Sequence, residues 1–232
     1  MSAFFASDEW QVLLDNLPNL PFATWESFYA TVFSTLLALA VGLPVGVLLV
    51  AGEKDGVRPL PSWLMTLLNL VINLLRSVPF LILMIMVLPL SRLVLGTSIG
   101  TVASIIPLFM ASFPFVSRLV ETSLREVDGG VVEAAQSMGA TPLQIILKVM
   151  IPESLPSLIA NVTIALTTIL GYSAMAGIIG GGGLGQIAIN YGYYRYKYLI
   201  MVVATALLVI MVQVFQTLGT WLAAQCDKRL RQ

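Results

Sequence analysis

The sequence predicts an all-helical integral membrane protein that crosses the bilayer five times. Three observations carry that prediction. The 232 residues are 58% apolar and only 10% charged, against roughly 25% charged in an ordinary soluble domain. So few polar groups cannot clothe a water-facing exterior. The charges are also far apart, leaving uncharged runs long enough to span a bilayer, and the basic ones fall unevenly about those runs. Other classes are excluded by the same composition. Twelve Lys+Arg against 12 Asp+Glu give no net charge, so nucleic acid, which requires a basic face, is not expected as a partner. With no His and the single Cys226, neither a metal cluster, a Cys–His nucleophile nor a disulfide framework can be assembled. No catalytic residues, metal ligands or cofactor are expected.

The elements follow in order. Residues 1–26 hold Asp8, Glu9, Asp15 and Glu26 but no Lys or Arg, so little resists their translocation. They lack the basic start of a signal peptide and read as an external tail. Within it Trp10, Leu13, Leu14 and Leu17 share one helical face, with Ser7 as a cap; a short helix lying on the outer membrane surface is expected.

A hydrocarbon core of about 30 Å needs about 20 mostly apolar residues. Ser27–Gly52 supplies 26, Leu93–Ser117 25 and Leu199–Cys226 28. Ser154–Tyr194 supplies 41, one crossing with residues to spare. Between Pro59 and Ser91 the lone charge Arg76 separates pieces of 17 and 15 residues. One helix from about Ser62 to Pro89 is expected there, bent at Pro79, whose ring removes a backbone donor. The sequence names no partner for Arg76.

Five spans with the N-terminus outside place Lys54, Arg58, Arg118, Arg125, Lys148, Lys228, Arg229 and Arg231 in the cytoplasm. Only Arg92, Arg195 and Lys197 remain outside. This satisfies the positive-inside bias better than six spans do. The transmembrane region is then 27–226, followed by a cytoplasmic tail at 227–232. Tyr191, Tyr193, Tyr194, Tyr196 and Tyr198, beside Arg195 and Lys197, suit the lipid headgroup layer and anchor the chain between the last two spans.

The one long polar stretch, about 118–153, holds 8 of the 24 charges, far more chain than a connector needs. It reads as a cytoplasmic docking surface. Asp128-Gly129-Gly130 breaks the helix leaving the membrane, and Val131–Met138 forms about two turns with Glu133 in the first. Gly139 suits a left-handed helix end. Thr141-Pro142 with Gln144 starts another helix through a capping box. Ala134 and Ala135 leave a smooth surface that another protein could approach.

Glu133-Ala134-Ala135, Gly139 and Val149-Met150-Ile151-Pro152 keep, over 20 positions, the spacing of the EAA signature of ABC-importer permeases, which this chain resembles. Val149 and Ile151 stand where that signature has Ile and Leu. Further segments are similar to the methionine-importer branch: Arg76-Ser77-Val78-Pro79-Phe80, Gly96-Thr97-Ser98-Ile99-Gly100, Gly139-Ala140-Thr141-Pro142, Gly171-Tyr172-Ser173-Ala174-Met175 and Gly182-Gly183-Leu184-Gly185-Gln186. They cover about residues 30–200, leaving the first 26 outside.

The resemblance implies a five-helix permease of the bacterial inner membrane, not an enzyme. It would work as a homodimer with two cytoplasmic ATPases and an external substrate-binding lipoprotein. Glu133, Ala134, Ala135, Gly139, Thr141 and Pro142 would then contact the ATPase. Uptake of methionine by alternating access is expected; another small amino acid or short peptide, or an ion-gradient carrier, is the alternative. A carrier usually needs acids within its spans, and the uncharged runs hold none. A membrane enzyme would need a catalytic set at the surface, and none is legible.

The glycine run requires its own reading. Gly180, Gly182 and Gly185 match the dinucleotide pattern G-x-G-x-x-G, but no acid follows before Asp227 and no strand precedes. No P-loop pattern occurs either, so the ATPase is another chain. A mechanical role fits better. Gly180, Gly181, Gly182, Gly183 and Gly185 end the fourth span and let the chain turn back, as a hinge. Non-helical backbone at membrane depth belongs against protein or a water-filled cavity. Before the run, Thr163, Thr167, Thr168, Tyr172, Ser173 and Met175 offer a mildly polar pathway lining. The gate is expected at Tyr172, Ser173 and Met175, the last a flexible, polarisable side chain; the same small residues also suit helix packing.

Overall fold

The computed structural model describes residues 8–227, and no strand occurs among them. Helix α1 (Asp8–Asn16) passes through a tight turn at Leu17–Asn19 into α2 (Leu20–Ala51). Helices α3 (Ser62–Ser77) and α4 (Phe80–Leu95) follow, then α5 (Thr101–Arg125) and the short α6 (Gly129–Ser137). Next, α7 (Pro142–Ile145) continues through a wide turn, Ile146–Met150, into α8 (Ile151–Ala176). A tight turn at Gly177–Ile179 precedes α9 (Gly183–Ile187), a second wide turn at Ala188–Tyr193 and α10 (Tyr198–Cys226). Four continuous stretches are long and apolar enough to cross a membrane: Asp8–Ala51, Thr101–Arg125, Pro142–Ile179 and Tyr198–Cys226. Helices α3 and α4, bent by 107° at the break between them, pass the same test only as a pair, so four stretches span, or five where the bent pair is one.

Several boundaries differ from those expected. At Pro79 the helix breaks instead of bending: Val78 and Pro79 are extended, at ψ 127° and 134°, because proline pushes its predecessor out of the helical region. The second half runs past Pro89 to Leu95, where Gly96 at φ 76° closes it, so the third span begins at Thr101, not Leu93. That span ends at Arg125, not Ser117. Its charges do not stop the helix because they pair along it: Arg118 with Glu121 at 2.6 Å and Arg125 with Glu121 at 2.9 Å. The fourth span starts at Pro142, not Ser154. The wide turn at Ile146–Met150 absorbs the donor missing at Pro152. Glu26 lies inside α2, as its seventh residue, rather than ahead of the first span. Acids therefore do occur within the long helices, at Glu26, Glu121 and Glu153. Ser7 lies outside the described residues.

The chain divides into two compact units assembled from alternating segments. The first comprises the N-terminal region through Thr35, Pro79–Met110 and Leu166–Phe215. Its core joins Leu20, Ala23, Leu170, Leu184, Ala204, Met211 and Phe215, beside a smaller cluster of Ala30, Leu108 and Ile169. In α1 Leu13 is buried while Leu14, and Leu17 of the turn that follows, are exposed, and Asp8 pairs with Lys197. The second unit comprises Leu36–Val78, Ala111–Ala165 and the segment from Gln216 onward. Here Gly42 and Gly46 of α2 sit directly against Val116 and Val120 of α5; a Cβ on Gly46 would stand 2.7 Å from the Ser117 carbonyl. Lipid offers no hydrophobic drive between helices, so such close van der Waals contact is what holds them. Polar ties add to it. Arg118 donates to Asn69 at 2.7 Å and Asn73 at 3.0 Å on α3. Arg125 reaches Glu53 at 2.5 Å, and Asn161 of α8 donates to Ser123 at 2.8 Å.

Candidate functional site

In the second unit, the segment from Asp128 to Met150 forms the helix–turn–helix module. Asp128 accepts the Gly130 N–H at 2.7 Å and so draws both glycines into the first turn of α6. Glu133 consequently lies mid-helix, not in the first turn. At the other end Gly139 adopts φ +80°. Its N–H donates to Gln136 at 2.9 Å, and Ala140 donates to Ala135 at 3.1 Å. Thr141 and Gln144 form the reciprocal box: Gln144 Oε1 accepts the Thr141 N–H at 2.9 Å and Thr141 Oγ1 accepts the Gln144 N–H at 3.4 Å. The elbow is therefore fixed at both ends by local hydrogen bonds.

Its residues divide by face. Glu133, Ala134, Gly139, Thr141 and Pro142 are exposed, whereas Ala135 is turned inward at 4% exposure. Ala135 thus seats the helix instead of joining Ala134 on the outer surface. Four apolar side chains not singled out in the sequence are exposed here: Val131 (45%), Met138 (82%), Leu143 (64%) and Leu147 (55%). The i, i+4 spacing of Leu143 and Leu147 was the available signal. Open apolar groups on an otherwise polar module mark a surface that expects a partner.

In the first unit, the gate candidates separate. Tyr172 is half-buried and stacked on Phe80, ring centroids 4.1 Å apart and planes within 6°. Ser173 is buried, while Met175 is half-exposed at 48%. Helical spacing explains this: Gly171 and Met175 of α8, with Ile178 of the turn that follows, form an open face, and Ser173 points to the opposite side. Of the threonines, Thr167 and Thr168 are partly buried. Thr163, in the second unit, is buried against Gly219 and donates to Ile159 at 2.8 Å; it serves helix packing.

The glycine turn is closely held. Gly180 at φ +80° ends α8's terminal turn and its carbonyl accepts the Gly100 N–H at 2.9 Å. Gly181 donates to Ala176 at 2.9 Å, and Gly182 to Gln186 Oε1 at 2.8 Å. Gly183 and Gly185 are buried, and a Cβ on Gly185 would overlap the Ala174 carbonyl. Arg76 sits in the last turn of α3 beside the break, where the helix dipole favours a cation. No group of three or more metal-binding side chains occurs among the described residues.

Four or five hydrophobic spans with a capped, exposed elbow describe a membrane transport component. The chain belongs to the family of binding-protein-dependent transport system inner membrane components, whose family model matches residues 38–232. It is accordingly an inner-membrane permease and not an enzyme. A probable D-methionine transport system permease protein MetI of Vibrio cholerae serotype O1 is 48% identical over 208 residues, 89% of this chain and 92% of that protein. Its counterpart in Haemophilus influenzae is 46% identical over 208 residues, again 89% of this chain and 97% of that one. Among solved structures, an inward-facing conformation of the MetNI methionine ABC transporter superposes with TM-score 0.88 at 39% identity, covering 96% of this chain and 100% of that chain.

Proposed function

We propose that the chain is the permease subunit of an ATP-driven importer of methionine. Two copies enclose the pathway, a pair of cytoplasmic ATPases supplies the stroke, and an external binding lipoprotein delivers substrate. The observation that carries this reading is the elbow: an exposed helix capped at both ends, offering Glu133, Ala134, Met138 and Gly139 on one rigid projection. A local structure this stiff transmits a push from a docked partner without bending. The relatives named for D-methionine transport, aligned over nearly nine-tenths of the chain, support the substrate.

In the cycle, closure of the ATPases pulls the two elbows together and opens the outer mouth. Met175 and Tyr172 then part to admit substrate, and hydrolysis reverses the motion. Selectivity rests mainly with the binding protein. The N-terminus lies outside and the elbow inside; α1 and the tyrosines of 191–198 rest at the outer interface, where half-wet aromatic rings are favoured.

Topology and coupling can be tested together. With Glu133→Cys in a Cys226→Ser background, intact cells should leave the thiol unlabelled by an impermeant maleimide. Permeabilised cells should label it, and a short cross-linker should join it to an ATPase chain. Labelling from outside the intact cell would overturn the orientation and the coupling role at once.

A further inference from the structure

Glu26 uses both carboxylate oxygens, and among the described residues neither meets a cation. Oε1 accepts the Thr101 hydroxyl at 2.7 Å and Oε2 accepts the Gly183 N–H at 3.0 Å. Its neighbour Ser27 accepts the Leu184 N–H at 2.9 Å. Helix α9 has no side-chain cap of its own at Gly182, so two adjacent residues of α2, 157 positions away, cap it instead. Thr101 is also the first residue of α5, and a carboxylate is favoured at a helix N-terminus. Hydrogen bonds to an ionised acceptor are roughly twice as strong as neutral ones. One half-buried acid therefore ties together α2, the start of α5 and the start of α9.

What α9 touches makes this tie consequential. The Gly185 backbone lies against the Ala174 carbonyl, and Gly177 lies against the Gln186 backbone. No side chain cushions either contact, so a displacement of α9 is passed directly to the backbone of Ala174–Gly177. Ala174 stands between Ser173 and Met175. On the transport reading above, we propose that Glu26 is a positioning residue for the gate segment. By fixing α9 against α8 it sets where Tyr172 and Met175 stand, and it couples that position to α2 and α5.

Glu26→Gln keeps the size but leaves one neutral acceptor oxygen in place of two charged ones, so the Gly183 N–H loses its charged partner whichever way the amide is turned. Thr101→Val removes the other partner at nearly constant shape. Two measurements are made on each variant. Hydrogen exchange of the purified permease should rise about tenfold at 180–187 in Glu26→Gln, the factor expected for one charged hydrogen bond, with 38–51 unchanged. Uptake of radiolabelled methionine per ATP hydrolysed, in vesicles holding the whole transporter, should fall about tenfold, with the membrane content of the protein unaltered. Thr101→Val should do less, and adding it to Glu26→Gln should cost nothing further.

Unchanged exchange overturns the proposal. So does faster exchange with undiminished uptake per ATP, which would leave Glu26 a merely structural group. If Glu26→Gln fails to accumulate in the membrane, Thr101→Val decides by the same two readings. Wild-type vesicles that take up no methionine on ATP would instead remove the substrate reading, with exchange still deciding whether Glu26 holds the turn.

Discussion

Gly139 shows how much rests on one backbone angle. At φ +80° it has open space around it, since a Cβ there meets nothing within 4 Å. Substitution is therefore opposed by backbone strain alone, about 1–2 kcal/mol for an L-residue in the left-handed region. The module would relieve that strain by unwinding the turn and releasing the bond from Gly139 to Gln136. Gly139→Val is expected to insert normally and retain basal ATP hydrolysis by its partner but to lose ATP-driven uptake, measured in vesicles. Full uptake would show that the elbow need not be rigid. Asp128→Ala addresses the opposite end. Losing an N-cap is worth about 1 kcal/mol, so a partial loss of uptake, smaller than that of Gly139→Val, is expected from the same assay. The Gly139 end and the Thr141–Gln144 box were legible because capping is local, donor and acceptor lying three residues apart, whereas Asp128 read only as part of a helix break and is the cap of α6. The inward turn of Ala135 was not, because its burial depends on what packs beneath α6.

Among elements, the contact of α2 with α5 is the most demanding. Gly42 and Gly46 are one helical turn apart, and both allow near-backbone approach to Val116, Ser117 and Val120. Leucine at 46 cannot be accommodated without separating the helices. Gly46→Leu is expected to lower the thermal unfolding temperature in detergent and the yield from membranes, whereas Leu48→Ala, at an exposed position of α2, should leave both unchanged. The G-x-x-x-G spacing was present in the sequence as a signal of small-residue packing, but it names no partner helix. Charge spacing misplaced the ends of α5 and the fourth span for a related reason. It treats each charge as a break, yet Arg118, Glu121 and Arg125 satisfy one another along one helix and reach Asn69 and Asn73 on α3 and Glu53 in the loop after α2.

For the whole molecule, the open face at Gly171 and Met175 of α8 and Ile178 of its terminal turn is where a second copy is expected to meet the first. Such a face inside a membrane has to border lipid, a pathway or protein, and its position just before the glycine turn favours the last two. Met175→Cys in a Cys226→Ser background should give a disulfide-linked dimer on mild oxidation, read as a doubled mass on a non-reducing gel and diminished when substrate and ATP are supplied. Absence of the dimer would place the pairing axis elsewhere on the subunit.

Composition and the spacing of charges were enough to settle that this is a helical membrane protein, and the elbow's motif was enough to suggest its family. Both are local or additive properties: solvent preference sums over residues, and caps and turns close within a few positions. Tertiary structure alone decided that α3 and α4 are separate helices, that Ser173 is buried while Met175 is open, and that Glu26 caps a helix 157 residues away. These outcomes depend on which segments meet in space. A carboxylate at a span boundary reads the same in a sequence whether it faces water or holds a glycine turn in place.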